Sequence, residues 1–79
     1  MNCNELVKAL YDKEIPSMWY SINGLYKEDA YILRKIKKSW EVFSVDDYGN
    51  QNNDYVLFDN EQEACEYLYK KLLEMKQIL

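Results

Sequence analysis

Two runs of alternating residues constrain this chain more than any other feature. Residues 30–36 and 40–45 place successive side chains on opposite faces, as strands do, and the short turn Lys37-Lys38-Ser39 separates them. In the second run Trp40 and Val42 share one face, while Phe43 and Val45 share the other. Because both faces are apolar, we expect a central strand that helices cover on at least one side.

A helix is predicted before these strands, over residues 3–14. Asn2 can cap its start, and Glu5 completes the capping-box spacing. Ile15-Pro16 ends the helix, because the residue before a proline is pushed out of the α region. Helical spacing predicts a buried stripe formed by Leu6, Val7, Leu10 and Tyr11.

A second helix is predicted after the strands, over residues 61–77. Asn60 can cap it, and Glu63 follows three residues later. Acidic residues come early in this segment and lysines come late, which suits the helix dipole. Its expected buried stripe, with Cys65 beside it, is Ala64, Leu68, Leu72, Met75 and Leu79.

Two shorter strands complete the expected fold, at residues 19–22 and 55–58. Asn23-Gly24 follows the first of them and predicts a tight turn, because both residue types tolerate positive φ. The polar segment 46–54 predicts a loop. We therefore expect one α+β domain over residues 1–79: a helix, a three- to four-stranded antiparallel sheet and a second helix. Both helices are expected on one face of the sheet.

Composition excludes several classes of function. The 79 residues include no histidine, which removes the commonest general base and the commonest neutral metal ligand. The net charge of −4 argues against a nucleic-acid partner. No apolar run approaches the roughly 20 residues of a membrane helix, and no signal peptide is visible. We expect a cytoplasmic, non-enzymatic protein that has no cofactor and does not bind membranes.

Whether Cys3 or Cys65 has any role is left open. Cys3 and Cys65 lie far apart in the sequence and follow no metal-binding spacing. A disulfide between them is possible, but reduced thiols are expected in a cytoplasmic protein. Cys65 fits a small buried residue better than a nucleophile. The 46–54 loop does not fit the calcium-binding EF-hand pattern, so no metal site is predicted.

Charge segregation gives the strongest indication of function. Residues 39–69 contain eight acids and no lysine or arginine. The simpler interpretation is a solvated face together with a helix N-terminus that prefers acids. The functional interpretation is an acidic surface that docks a basic partner. Eight tyrosines also exceed what a small core can hide, and tyrosine is frequent in protein interfaces. The candidate partner-binding residues are Asp46, Asp47, Tyr48, Asp54, Tyr55, Asp59 and Glu66.

Several short segments resemble a family of small bacterial immunity proteins, which are encoded beside polymorphic or contact-dependent growth-inhibition toxins. The likeness covers roughly residues 15–73 and depends on the order and spacing of its motifs. The chain departs from the family at Tyr48, where members often carry an arginine before the loop glycine. The segments that carry the resemblance are residues 20–24, 28–33, 40–43, Gly49, 58–61 and 63–67.

The resemblance implies that the protein binds one toxin domain, often a nuclease, and blocks it without any activity of its own. Nuclease active sites are basic, which agrees with the acidic segment. Two other functions remain open: an adaptor that binds another cellular protein, and a small hydrolase or nuclease that uses carboxylates. The identity of the toxin, the docking face and the oligomeric state are left open.

Overall fold

The computed structural model describes residues 1–78, and Leu79 lies outside them. The order of elements confirms the α+β prediction. A short 3-10 turn, Ser17–Trp19, leads into the first strand. Among residues 1–78, no helix has both the length and the apolar character needed to cross a bilayer. The elements are α1 (Cys3–Asp12), β1 (Tyr20–Ile22), β2 (Ala30–Ile36), β3 (Ser39–Val45), β4 (Val56–Phe58) and α2 (Glu61–Ile78).

Helix α1 begins where the sequence predicts and ends two residues early. The N–H of Glu5 donates to Asn2 Oδ1, and the N–H of Asn2 donates to Glu5 Oε1, both at 2.8 Å. The predicted capping box is therefore confirmed. The helix stops at Asp12 because the chain turns at Glu14, which takes a φ of 58°.

The buried stripe of α1 is narrower than predicted. Leu6 and Leu10 are fully buried, as expected. The prediction is wrong for Val7 and Tyr11, which are exposed. Cys3, Leu6 and Leu10 are the α1 residues that are buried in the core, so only one edge of the predicted apolar stripe is used.

The two long strands predicted from the sequence form a hairpin. Strands β2 and β3 are antiparallel, with Ala30 opposite Val45 and Leu33 opposite Val42. The short strand β4 pairs with the outer edge of β3 in the antiparallel sense. The predicted division of β3 into two faces is confirmed, because Val42 packs with the helices and Phe43 does not.

Strand β1 corrects the prediction of a wholly antiparallel sheet. It pairs with β2 in the parallel sense, with Tyr20 opposite Tyr31. Asn23 does take a positive φ of 54°, but its N–H donates to Leu33 O at 2.8 Å and so extends the parallel ladder. The chain then returns through residues 23–29 to begin β2 at the same end as β1. The four strands, in the order β1-β2-β3-β4, therefore form a mixed sheet.

Both helices cover one face of the sheet, as predicted. Helix α2 buries Ala64, Cys65, Leu68 and Leu72 in the cluster that also holds Leu33 of β2, and α1 packs against α2 in the same cluster. The predicted cap of α2 is confirmed, because the N–H of Glu63 donates to Asn60 Oδ1 at 2.9 Å. The helices thus share one core, and residues 28–29 and 46–54 lie outside it.

The opposite face is covered by loops and side chains instead of a helix. Ile32, Phe43 and Val45 are buried there. The rings of Tyr26 and Tyr55 lie 6.0 and 5.9 Å from the Phe43 ring, measured between centroids. This arrangement shields an apolar surface that the helices do not cover.

Candidate protein-docking surface

The strand register gathers four acids at one end of the sheet. The N–H of Asp29 donates to Asp46 O at 3.0 Å, just beyond the last pair of β2 and β3. Glu28 lies beside the next turn, where its Cγ is 3.6 Å from the position that a Cβ on Gly49 would take. The acidic end is defined here as Glu28, Asp29, Asp46 and Asp47.

Glu28 and Asp29 of this acidic end are not among the site residues predicted from the sequence. The position of the hairpin turn could have revealed that Asp29 lies beside Asp46. A turn at Lys37 and Lys38 makes Ala30 and Val45 partners, and it therefore places residue 29 opposite residue 46. Two adjacent acids before a strand can contribute to a charged surface.

A cleft of about 470 Å³ opens at the acidic end. Among the lining residues that the structure describes, none is a lysine or an arginine. An acidic wall beside aromatic faces suits a cationic group, because carboxylates accept its hydrogen bonds and aromatic rings attract its charge. The residues relevant to this argument are Trp19, Asp29, Tyr31, Asp46, Asp47 and Met75.

The loop that follows β3 is held by its own first residue. Asp46 Oδ1 accepts hydrogen bonds from the N–H of Tyr48 at 2.9 Å and of Asn50 at 2.8 Å. Gly49 takes a φ of 85°, which suits glycine. The hydroxyl of Tyr26 donates to Gly49 O at 2.9 Å. Asp46 therefore shapes the loop as well as contributing charge.

Asp54 also has a structural role. Its Oδ1 accepts the N–H of Ser44 at 2.9 Å, and its Oδ2 accepts the Ser44 hydroxyl. Asn52 donates to the same hydroxyl oxygen at 2.8 Å. Burial, and then the nearby Asp54 charge, raise the pKa of Tyr31. Both oxygens of Asp54 have partners inside the domain, so it is poorly placed to bind another protein.

Tyr55 and Arg34 both bind the buried Glu41 on the face of the sheet opposite the helices, and Tyr55 itself is 45% exposed. Glu41 is only 3% exposed. Its Oε1 accepts the Tyr55 hydroxyl at 2.6 Å, and its Oε2 pairs with Arg34 Nε. Burial by itself raises the pKa of Glu41, but the hydrogen bonds from Tyr55 and Arg34 outweigh it and lower that pKa. The bond to Glu41 raises the pKa of Tyr55.

Two predicted residues remain fully available at the acidic end. Asp47 is exposed, and Tyr48 is 84% exposed at the tip of the loop. They stand next to the cleft, and no hydrogen bond within residues 1–78 occupies either side chain. Together with Asp46, they form the part of the predicted set that the structure brings together.

Asp59 and Glu66 lie toward the other end of the sheet. Asp59 follows Phe58, which pairs with Trp40, and Trp40 is six residues, or about 20 Å, from Asp46 along β3. Glu66 is nine residues before Met75 in α2, or about 14 Å along the helix axis. The seven predicted residues therefore do not form one continuous surface.

The two cysteines, distant in sequence, meet in the core. Their sulfur atoms are 3.9 Å apart, and both residues are buried free thiols. Burial, with smaller contributions from Cys65 and Glu61, raises the pKa of Cys3 to about 12. Burial likewise raises the pKa of Cys65. A thiol of this kind is protonated at neutral pH and is a poor nucleophile.

The fold and the site together define a small α+β domain with an acidic, aromatic-edged cleft at one end of its sheet. Comparison of the chain with models of protein families, with curated proteins and with solved structures finds no match. The resemblance to immunity proteins therefore remains a prediction, and the functional argument depends on the chemistry of the surface.

Proposed function

We propose that this domain is an immunity protein that binds a bacterial toxin domain, with a nuclease as the expected class, and blocks its basic active site. The observation that carries the proposal is the acid-lined cleft with Asp47 and Tyr48 exposed beside it. The family assignment depends on the resemblance in sequence, and the docking surface depends on this cleft.

Charge supports a basic partner. Four carboxylates converge on the acidic end, whereas Glu41 of the same acidic segment is buried against Arg34. A concentrated charge of one sign accelerates association with an oppositely charged partner and discriminates against acidic ones. A lysine or arginine from the toxin's active site would find carboxylates and aromatic faces together in the cleft.

The available tyrosine adds the second element of an interface. Tyr48 offers a large, rigid side chain with a polar tip, and side chains of this type dominate the binding energy of many interfaces. We propose Asp47 and Tyr48 as the central contacts, with Glu28 and Asp29 beside them. In this proposal Asp46 and Asp54 hold the loop in shape for docking.

The test is protection and binding against the toxin domain encoded beside this gene. Asp47→Lys and Glu66→Lys change the net charge equally, and both replace exposed acids. Asp47→Lys should weaken binding by about 10-fold or more, and the effect should shrink at high salt. Glu66→Lys is the matched control and should bind like wild type.

The possible outcomes distinguish an error in the proposed docking surface from an error in the proposed immunity function. Both variants should unfold within about ±0.5 kcal/mol of wild type, because they change exposed positions. If Asp47→Lys binds normally and Glu66→Lys does not, the docking surface lies at the start of α2. If the toxin kills equally well with and without the wild-type protein, the immunity function itself is wrong.

A further inference from the structure

Two thiols and one carboxylate meet where both helices begin. Cys3 is the first residue of α1, Glu61 is the first residue of α2, and Cys65 lies about one turn further along α2. The two sulfur atoms and a Glu61 carboxylate oxygen all lie within 4.8 Å of one another. Within residues 1–78, this is the one place where three potential metal ligands of these types come so close together.

The spacing of the sulfur atoms suits a tetrahedral metal. Zinc binds thiolate sulfur at about 2.3 Å, so two sulfurs at the tetrahedral angle are roughly 3.8 Å apart. The observed separation is 3.9 Å. A disulfide would require the sulfurs to approach to about 2.05 Å. A metal ion could therefore bind with little movement of either thiol.

Glu61 is already oriented toward this cluster. The backbone N–H of Cys3 donates to Glu61 Oε2 at 2.8 Å. That bond ties the carboxylate to the turn that carries Cys3 and leaves its other oxygen available. Hydrogen bonds of this kind fix the direction of a ligand in established metal sites.

The local charge also suits a bound cation. Two thiolates, one carboxylate and a divalent cation together carry one negative charge. Cys3 and Glu61 each open a helix, so the cluster faces the positive ends of two helix dipoles. Both thiols are protonated without the metal, so its binding must release two protons to solvent.

The geometry points to a binding site for a thiophilic divalent cation of the zinc type, held by Cys3, Cys65 and Glu61. Water completes the coordination on the half-exposed Glu61 side. The bound ion clamps the first turn of α1 to the first turns of α2 and stabilises the fold. This inference is independent of the proposed toxin binding.

The test uses reduced, metal-free protein titrated with Zn²⁺ in competition with a chromophoric chelator, and separately with Cd²⁺. We expect one ion per chain, a thiolate-to-cadmium charge-transfer band, and a higher melting temperature with Zn²⁺. Cys65→Ala removes one ligand and should lower the Zn²⁺ affinity by more than about 100-fold. Removing a residue that only hydrogen-bonds to a ligand already lowers metal affinity by about 10- to 100-fold.

Glu61→Gln keeps both thiols and an oxygen for the Cys3 N–H, and it should weaken Zn²⁺ binding by at least about 10-fold. Glu63→Gln is the matched control, because Glu63 is exposed in the same first turn, and it should bind like wild type. Circular dichroism without metal checks that each variant folds. If Cys65→Ala does not fold, the cadmium band and Glu61→Gln decide the question.

Three results of the metal titrations would each overturn the site. They are the absence of a cadmium–thiolate band in the wild-type protein, Zn²⁺ affinity unchanged in Glu61→Gln, and equal weakening in Glu61→Gln and Glu63→Gln. A protein that takes up no Zn²⁺ but loses two hydrogens per chain with glutathione disulfide would also overturn it. In that case Cys3 and Cys65 would be a redox pair.

Discussion

Replacing Arg34 with methionine should test how the buried Glu41 carboxylate is stabilised. The substitution keeps the aliphatic stem beside Phe43, whose ring centroid lies 5.3 Å from the guanidinium carbon, and removes the charge. Glu41, only 3% exposed, would keep its bond from Tyr55 and lose its cationic partner. The energetic cost is that of a buried charge left incompletely paired.

The expected magnitude follows from the exposure of the two partners. Removing one member of a fully buried ion pair costs about 3–5 kcal/mol. The Arg34 side chain is 41% exposed, so water already screens part of the interaction. We therefore expect Arg34→Met to lower the free energy of unfolding by about 2–3 kcal/mol. For a domain of this size, the melting temperature should fall by roughly 10–20 °C.

The loss of unfolding free energy in Arg34→Met should be larger at neutral pH than in acid. The pKa of Glu41 lies below its ordinary value, so this carboxylate stabilises the fold above the unfolded pKa of about 4.3. That stability is lost as the pH falls through the lower folded pKa. Without Arg34, burial should dominate and raise the pKa of Glu41. The difference between wild type and variant should therefore be largest near neutral pH and shrink in acid.

Urea unfolding at neutral and acidic pH measures both effects. Lys38→Met is the matched control, because it removes the same charge from an exposed turn and should change stability by no more than about 0.5 kcal/mol. The double variant Arg34→Met with Glu41→Leu should be more stable than Arg34→Met alone, since it removes the unpaired charge. A double variant that is less stable, or a single variant that unfolds like wild type, would refute this reasoning.

Two further predictions concern stability. Leu68→Ala should lower the free energy of unfolding, measured by chemical denaturation, by about 2–5 kcal/mol, because Leu68 is fully buried. The folded variant should bind the toxin with wild-type affinity. A specific binding defect would place α2 in the docking surface. Asp46→Ala should lower the free energy of unfolding by about 1–2 kcal/mol, because two hydrogen bonds to backbone N–H groups are lost. Asp47→Ala should change it by no more than about 0.5 kcal/mol. Equal melting temperatures for these two variants would contradict the structural role of Asp46.

Features set by neighbouring residues were predictable from the sequence. The caps at Asn2 and Asn60 depend on hydrogen bonds across three residues, and both are present. The hairpin of β2 and β3 follows from alternation and a short turn. The direction of β1 was not predictable, because three residues of alternating pattern do not reveal their partner. The turn residue Asn23 favours a hairpin locally, while the actual pairing is with Leu33, ten residues away.

The candidate surface was predictable only in part, because net charge treats all acids alike. Glu41 and Asp47 belong to the same acidic segment, yet one is buried against Arg34 and the other faces solvent. The cross-strand partnership of Arg34 and Glu41 follows from the hairpin register, and it explains why Glu41 does not contribute to the charged surface. The meeting of Cys3 with Cys65 depends on the packing of two helices and has no local signal.

The acids of residues 39–69 therefore have two different roles. Some form the proposed docking surface, and others stabilise the loop that carries it. Asp46 accepts hydrogen bonds from backbone N–H groups of the loop, and Asp54 accepts one from β3. Tyr26, in the segment that joins β1 to β2, donates its hydroxyl to Gly49 of the loop. A loop held this way loses little conformational freedom when a partner binds, so more of the contact energy appears as affinity. Asp47 and Tyr48 can then act from a rigid platform. On this argument, loosening the loop through Asp46 should weaken toxin binding even though Asp46 itself need not contact the toxin.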